Sequence, residues 1–150
     1  MLIETDVLLA ALNQHYPLCE VARVVLALEH LMLSPYSMLE WNLLVRAGKI
    51  RVKSFSKTSE RLEGLFRTRE IKIIADRPSF HSLAHEIESK YGLTFFDSLH
   101  AAAAKLEDQE LLSFDTAYRK LRGLGVRHTD PRVLLKQKQS KGIKSKSSRP

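Results

Sequence analysis

Short apolar runs alternate with amphipathic helical patterns along most of this chain, and that alternation is what most restricts its fold. The apolar runs predict β-strands near residues 1–3, 31–33, 71–74, 110–114 and 126–129. The intervening patterns predict helices near residues 7–14, 18–30, 35–47, 57–69, 78–91, 96–107 and 116–122. Strands that alternate with helices form a parallel sheet covered by helices on both faces. We therefore predict an α/β fold whose ligands bind beyond the carboxyl ends of the strands.

Two helix ends carry specific sequence signals. Ser34 followed by Pro35 predicts an N-cap and a proline at the first helical position. Gly92 is well placed to end the helix that Pro78 begins, since glycine is the preferred residue just after a helix.

The positive charge of the chain is concentrated near its C-terminus. The 150 residues contain 24 Lys and Arg against 17 Asp and Glu, a net charge of +7. Residues 136–150 hold six of these basic residues, no acidic ones and almost nothing apolar. We therefore predict one domain over residues 1–135 and a disordered basic tail over residues 136–150. The tail either binds phosphates or only adds solubility.

Several classes of protein are excluded by composition. No stretch approaches the ~20 apolar residues of a membrane span, and the first six residues lack the basic region of a signal peptide. Cys19 is the only cysteine, which allows no internal disulfide and no thiolate-rich zinc site. These observations predict a cytoplasmic protein with no membrane partner.

Five acidic residues stand at or near the ends of predicted elements: Glu4, Asp6, Glu40, Asp97 and Asp115. Glu4, Asp6 and Asp115 follow strands, Glu40 lies on the helix after the second strand, and Asp97 lies at the start of the helix over residues 96–107. In a parallel sheet these positions meet at one edge, where each close carboxylate pair repels by roughly 4 kcal/mol. Such a cluster needs a cation, and oxygen ligands without thiolates select Mg²⁺ or Mn²⁺. A divalent cation there would support phosphodiester hydrolysis. Taken singly, the three aspartates also suit helix N-caps, and Glu40 also suits a salt bridge.

Four segments carry a resemblance to a known family. Residues 3–9, 34–40, 93–103 and 111–115 resemble, in order and spacing, the four acidic motifs of the PIN-domain family. The resemblance extends from residue 1 to about residue 135. It implies a three-layer α/β/α fold, a Mg²⁺ or Mn²⁺ cofactor and endoribonuclease activity on RNA. Many such single-domain proteins are VapC-type toxins that an antitoxin protein inhibits, and the family analogy also implies a homodimer.

The resemblance also implies roles for individual residues. Glu4, Asp97 and Asp115 would hold the metal, Glu40 would position or activate water, and Thr5 and Ser113 would support them. The family's first position is nearly always aspartate, in runs such as Asp-Thr-Asn-Val-Leu, whereas Glu4 occupies it here. Asp6 stands where the family has Asn or Ser. Either Glu4 replaces the aspartate, or Asp6 takes over as a catalytic ligand, or the chain binds metal poorly.

Other interpretations remain open from the sequence. The chain could be an inactive PIN-like module that binds RNA or a protein, or an RNA-processing nuclease without an antitoxin. His81 and His85 are interpreted as a surface pair, and His100 as a helix-packing residue that could also approach the acidic edge. A basic stretch, in which we single out Arg46, Lys49, Arg51 and Lys53, either contacts the RNA backbone or forms a solvated helix face.

Overall fold

The structure, a computed structural model, describes residues 1–134 and consists of a five-stranded parallel sheet between two helical layers. The strands are β1 (Leu2–Ile3), β2 (Met32–Leu33), β3 (Lys72–Ile73), β4 (Leu111–Leu112) and β5 (His128–Thr129). All adjacent strands are parallel, and their order in the sheet is β3-β2-β1-β4-β5. The α/β fold with a central parallel sheet is confirmed. The predicted tail, residues 136–150, lies outside the described residues.

Seven helical segments lie between β1 and β5. Six are α-helices: α1 (Thr5–Leu12), α2 (Cys19–Leu26), α3 (Ser37–Arg46), α4 (Phe55–Thr68), α5 (Pro78–Tyr91) and α6 (Phe95–Leu106). The seventh, Thr116–Leu124, is a 3₁₀ helix between β4 and β5. Among the described residues, no helix is long and apolar enough to cross a membrane.

Successive residues of a strand point to opposite faces of the sheet, and they pack into two separate apolar cores, one on each face. Leu2 and Leu111 pack on one face with residues of α5, α6 and the 3₁₀ helix. Ile3 and Leu112 pack on the other face with residues of α1, α2, α3 and α4. Residues 101–104, all alanine, are fully buried, so α6 lies close to its neighbours. This packing gives the three-layer arrangement and fixes the carboxyl ends of β1 and β4 side by side.

The two predicted helix ends had different outcomes. Gly92 ends α5 with a left-handed backbone, φ 65°, as predicted. The predicted N-cap at Ser34 is wrong, because α3 begins only at Ser37. Ser34 instead accepts hydrogen bonds from the N–H groups of Tyr36 and Ser37 through its hydroxyl and carbonyl oxygens, which forms a turn before the helix.

Candidate metal centre at the carboxyl edge of the sheet

Glu4 lies at the point where β1 ends and α1 begins. It is the N-cap of α1, and its side chain accepts a hydrogen bond from the N–H of Asp6 over 3.3 Å. Glu4 is only 5% exposed. The cap therefore places a carboxylate in the interior, directly beyond the carboxyl end of a central strand.

Ser113, the first residue after β4, joins Glu4 to Asp6. Its hydroxyl oxygen lies 2.9 Å from Oε2 of Glu4 and 2.9 Å from Oδ2 of Asp6. A hydroxyl has one hydrogen and can donate to only one of these oxygens. The N–H of Phe114 also donates to Asp6 Oδ2 over 2.7 Å, whereas Asp6 Oδ1 is buried without a partner in the described chain. The pair thus carries more negative charge than its donors satisfy.

The electrostatics of this pair follow from burial. Burial raises the pKa of Glu4 well above its ordinary value, and the negative charges of Asp6 and Glu40 add to that shift. Burial also raises the pKa of Asp6, although hydrogen bonds with Glu4, Ser113 and the Phe114 N–H oppose it. Without a cation, the pair favours holding a proton.

Glu40 and His100 complete the buried cluster next to Glu4. His100 Nε2 lies 3.0 Å from Glu40 Oε2, 3.3 Å from Thr5 Oγ1 and 3.8 Å from Glu4 Oε1. Burial alone would raise the pKa of Glu40, but hydrogen bonds with His100 and Thr5 outweigh it and lower that pKa. His100 is fully buried, so it both packs and contacts the acidic edge. The sequence left both roles open for His100, and the structure combines them.

Asp97 lies in the first turn of α6 and is held by two hydroxyl groups. The Thr94 hydroxyl donates to Asp97 Oδ2 over 2.5 Å, and the Tyr118 hydroxyl donates to Oδ1 over 3.3 Å. Burial raises the pKa of Tyr118 well above its ordinary value, and the charges of Glu4, Asp97 and Asp6 add to the shift. The Tyr118 hydroxyl therefore contacts Asp97 within the negative field of the acidic cluster. Tyr118 was not among the site residues predicted from the sequence. The one sequence signal for it is its position three residues after Asp115, which places it near the acidic edge.

Asp115 occupies a different position from the other acidic residues. It is exposed, and its Oδ1 accepts a hydrogen bond from the N–H of Ala117 over 2.7 Å, which caps the 3₁₀ helix. Its own N–H donates to the Ser113 hydroxyl oxygen over 2.9 Å. Asp115 thus connects to Glu4 through Ser113, with its carboxylate at the outer side of the cluster.

A second polar group lies one helical turn before Glu40. The hydroxyl of the buried Tyr36 donates to Asp76 Oδ1 over 2.5 Å, and His81 Nε2 lies 3.0 Å from Asp76 Oδ2. His81 is therefore paired with Asp76, a partner that the His81 and His85 spacing did not indicate.

The predicted RNA-binding cations lie around the α3–α4 connection. Lys49, Arg51 and Lys53 are exposed, while Arg46 donates to the side chain of Asn42 over 3.2 Å. Lys49 and Arg51 line a cavity of about 730 Å³, and Asp6 lines the same cavity. The basic stretch thus approaches the acidic edge from the side of α1.

The donor set fits a divalent cation. Glu4, Glu40 and His100 each offer one ligand atom, and these atoms lie within 4.8 Å of one another. Carboxylate oxygens suit Mg²⁺ and Mn²⁺, and an added imidazole nitrogen suits Mn²⁺ better than Mg²⁺. The raised pKa of Glu4 and the unpartnered Asp6 oxygen both indicate negative charge that a cation would balance. The carboxylates of Asp97 and Asp115 lie outside this group of three in the present conformation.

Comparisons with known proteins agree with this fold. The PIN domain family model matches residues 1–124 of the chain. A toxin–antitoxin complex from Klebsiella pneumoniae aligns with a TM-score of 0.62 at 17% identity, over 87% of this chain and 96% of that one. FitAcB from Neisseria gonorrhoeae aligns with a TM-score of 0.59 at 23% identity, over 87% and 96%. A protein from Pyrobaculum aerophilum aligns with a TM-score of 0.62 at 20% identity, over 91% and 92%. No curated protein matches the sequence.

Proposed function

Because this chain belongs to the PIN domain family, whose members are generally nucleases, we propose that it is a Mg²⁺- or Mn²⁺-dependent endoribonuclease. The observation that carries the proposal is the cluster of Glu4, Glu40 and His100 at the carboxyl edge of the sheet, in which Glu4 and His100 are buried and Glu40 is half-buried. A fold keeps such a cluster of buried acids at a cost in stability, which a bound cation would offset.

By the family resemblance we assign the metal to Glu4, Asp97 and Asp115, with Asp6 beside them. Of these residues, Glu4 alone belongs to the group of three ligand atoms that lie within 4.8 Å of one another in the described chain. Glu4 is the central member, since it contacts His100 on one side and Ser113 on the other. When bound, the cation would polarise the phosphodiester and stabilise the leaving oxygen. Thr94 and Tyr118 orient the Asp97 carboxylate, and Ser113 connects Glu4, Asp6 and the Asp115 backbone.

Glu40 is suited to orient water and take up its proton. Its lowered pKa keeps it ionised at neutral pH, and an ionised carboxylate can accept a proton from an attacking water. His100 donates to Glu40 through Nε2, because an ionised carboxylate can only accept a hydrogen bond. That donation fixes the orientation of Glu40, and Thr5 supports both side chains.

The substrate and partners also belong to this proposal. Arg46, Lys49, Arg51 and Lys53 would bind the RNA backbone, because an acidic centre repels phosphate and needs nearby cations. The similar Klebsiella pneumoniae structure is a toxin–antitoxin complex, which supports a VapC-type toxin with an antitoxin partner. We propose a homodimer by analogy with the family. We also propose a cytoplasmic location, because the cysteine of the chain is free.

Asp97→Asn tests the proposal most directly. Asparagine has the same shape and can still accept one of the two hydroxyl hydrogen bonds through its amide oxygen, but it removes a charged metal ligand. We expect cleavage of a mixed-sequence fluorogenic RNA in Mn²⁺ to fall by about 100-fold or more, since even outer-shell partners contribute 10–100-fold. Glu88→Gln, at an exposed position of α5, is the matched control and should cleave as the parent does.

The outcomes separate the candidate functions. Cleavage that disappears both in EDTA and in Asp97→Asn would support the nuclease. Equal cleavage by Asp97→Asn and the parent would refute the assignment. If the parent neither cleaves RNA nor binds Mn²⁺ in calorimetry, the glutamate at position 4 has disabled the site, and an RNA- or protein-binding module becomes the better conclusion. An active enzyme without an antitoxin partner would fit an RNA-processing nuclease instead.

A further inference from the structure

A cavity of about 730 Å³ opens between α1 and the α3–α4 connection. Its lining includes Asp6 and Tyr16 together with three cationic residues, Lys49, Arg51 and Arg61. Trp41, only 2% exposed, also lines it and stacks on Phe55 with ring centroids 4.6 Å apart. Cavities of this size accommodate small organic ligands.

The three cations of this cavity are available to an anion. Lys49, Arg51 and Arg61 are exposed, and none has a carboxylate within salt-bridge distance among the described residues. By contrast, Arg67, farther along α4, pairs with Glu63 over 3.2 Å. Three unpaired cations around one cavity favour a ligand with a phosphate group.

The rest of the lining favours a ligand that also has a flat apolar part. Tyr16 is 45% exposed at the cavity, and the aliphatic side chains of Leu9 and Ile50 line it as well. An aromatic side chain beside cations is the combination that binds single-stranded nucleic acid, since the ring stacks on a base while the cations hold the backbone. The cavity therefore matches a nucleotide better than an isolated phosphate.

The position of Asp6 connects this cavity to the acidic cluster. Asp6 lines the cavity, and its Oδ2 is bridged to Glu4 by the Ser113 hydroxyl. A strand with one nucleotide in the cavity would therefore place a neighbouring phosphodiester toward Glu4. Because the cavity adjoins the acidic cluster, it favours a nucleic-acid strand, whose next phosphodiester would lie at the cluster. An acidic peptide has no group that the cluster would act on.

We propose that this cavity is a subsite for one nucleotide of a single-stranded RNA, with the base against Tyr16 and the phosphate on Lys49, Arg51 and Arg61. The proposal rests on the proposed function for the identity of the strand. Binding in the cavity does not require the metal, so it can be measured separately from cleavage.

Trp41 supplies the probe, because it is the only tryptophan of the chain. The full-length protein is titrated with 5′-UMP and with tetrauridylate in EDTA at low salt, and tryptophan fluorescence is recorded. We expect a saturable change for both ligands. Tyr16→Ala and Arg61→Ala should each weaken tetrauridylate binding by about 5-fold or more, since base stacking alone contributes 1–3 kcal/mol per base.

Two further variants keep the test interpretable. Tyr16→Phe retains the ring and should bind as the parent does, whereas a general loss of folding in Tyr16→Ala would show in its circular dichroism. Arg67→Ala removes a cation from the same helix outside this cavity and should change affinity by less than about 2-fold.

The results distinguish the subsite from the nuclease. Nucleotide binding that depends on Tyr16 and Arg61, in a protein that never cleaves RNA, would support the subsite and refute the nuclease. Metal-dependent cleavage with no effect of Tyr16→Ala or Arg61→Ala on fluorescence or on KM would refute the subsite and keep the nuclease. Saturable binding of a glutamate-rich peptide without any nucleotide binding would also overturn the proposal, because the cavity would then be a peptide groove.

Discussion

Replacing Glu4 by glutamine should stabilise the metal-free protein at neutral pH, although it removes a proposed ligand. Glu4 and Asp6 are bridged by one hydroxyl with contacts of 2.9 Å to each, so their nearest oxygens lie no more than about 6 Å apart. At an effective dielectric of about 20, two carboxylates at that distance repel by about 3 kcal/mol. The folded glutamate protein must either bear this repulsion or take up a proton to relieve it. A glutamine keeps an acceptor for Ser113 and needs neither.

The pH dependence of this effect has a definite sign. Burial raises the pKa of Glu4 in the folded state above its value in the unfolded chain. As pH rises above the unfolded pKa, the unfolded chain releases this proton first, and the free energy of unfolding falls until the folded pKa is passed. The destabilisation is therefore absent well below pH 4 and largest at neutral pH.

Chemical denaturation in EDTA measures the expected gain. At pH 7.5 we expect Glu4→Gln to raise the free energy of unfolding by about 2 kcal/mol, slightly less than the full repulsion because the solvent relaxes part of it. At pH 4.5 the gain should fall below about 1 kcal/mol. Glu88→Gln, at the exposed surface of α5, should stay within about 0.5 kcal/mol of the parent at both pH values.

Added Mn²⁺ should make the parent more stable to denaturation than Glu4→Gln, the reverse of the result expected in EDTA. A ligand at 100 times its Kd stabilises the folded state by about 2.7 kcal/mol, and the parent should gain more of this than Glu4→Gln. The reasoning would be refuted by a Glu4→Gln protein that is no more stable than the parent at pH 7.5 in EDTA. It would also be refuted by a gain of equal size at pH 4.5.

Two further predictions concern side chains that act on the proposed catalytic carboxylates. Tyr118→Phe removes a donor from Asp97, so we expect RNA cleavage to fall by about 10-fold and Mn²⁺ affinity in calorimetry to change with it. A cleavage rate equal to that of the parent would contradict this positioning role. His100→Leu removes the donor that lowers the pKa of Glu40 while keeping the apolar packing. The acidic limb of its kcat/KM profile should shift to higher pH, and an unmoved limb would contradict the assignment of Glu40 as the proton acceptor.

The fold was predictable because its signals are local. Four of the five strands lie within apolar runs, such as the one that contains Leu111 and Leu112, and amphipathic helices separate these runs. The exception is β5, whose two residues, His128 and Thr129, are polar. The parallel order follows from that alternation, so the edge at which Glu4 and Glu40 meet was predictable as well. The Ser34 prediction failed because a serine–proline pair also suits a turn, and only the backbone beyond Pro35 decides between the two.

The contacts inside the site were not predictable, because they join residues far apart in sequence. The Ser113 bridge to Glu4 spans 109 positions, and the His100 contact with Glu40 spans 60. Each depends on side-chain rotamers that packing selects, and no spacing rule encodes them. The sequence pattern also could not show that Glu4, rather than Asp6, caps α1. That choice decides which of the two carboxylates faces His100.

The glutamate at position 4 and the aspartate at position 6 have a joint consequence for metal binding. Glu4 approaches His100 and Glu40, while Asp6 approaches Phe114 and the cation-lined cavity, so the two carboxylates serve different sides of the same edge. Because both have a raised pKa, the metal-free cluster holds a proton that a bound cation must displace. Metal affinity should therefore weaken on acidification more steeply than ionisation of Glu40 alone would require. We therefore expect the chain to bind a divalent cation despite the longer side chain at position 4, because the added carboxylate of Asp6 increases the attraction for the cation.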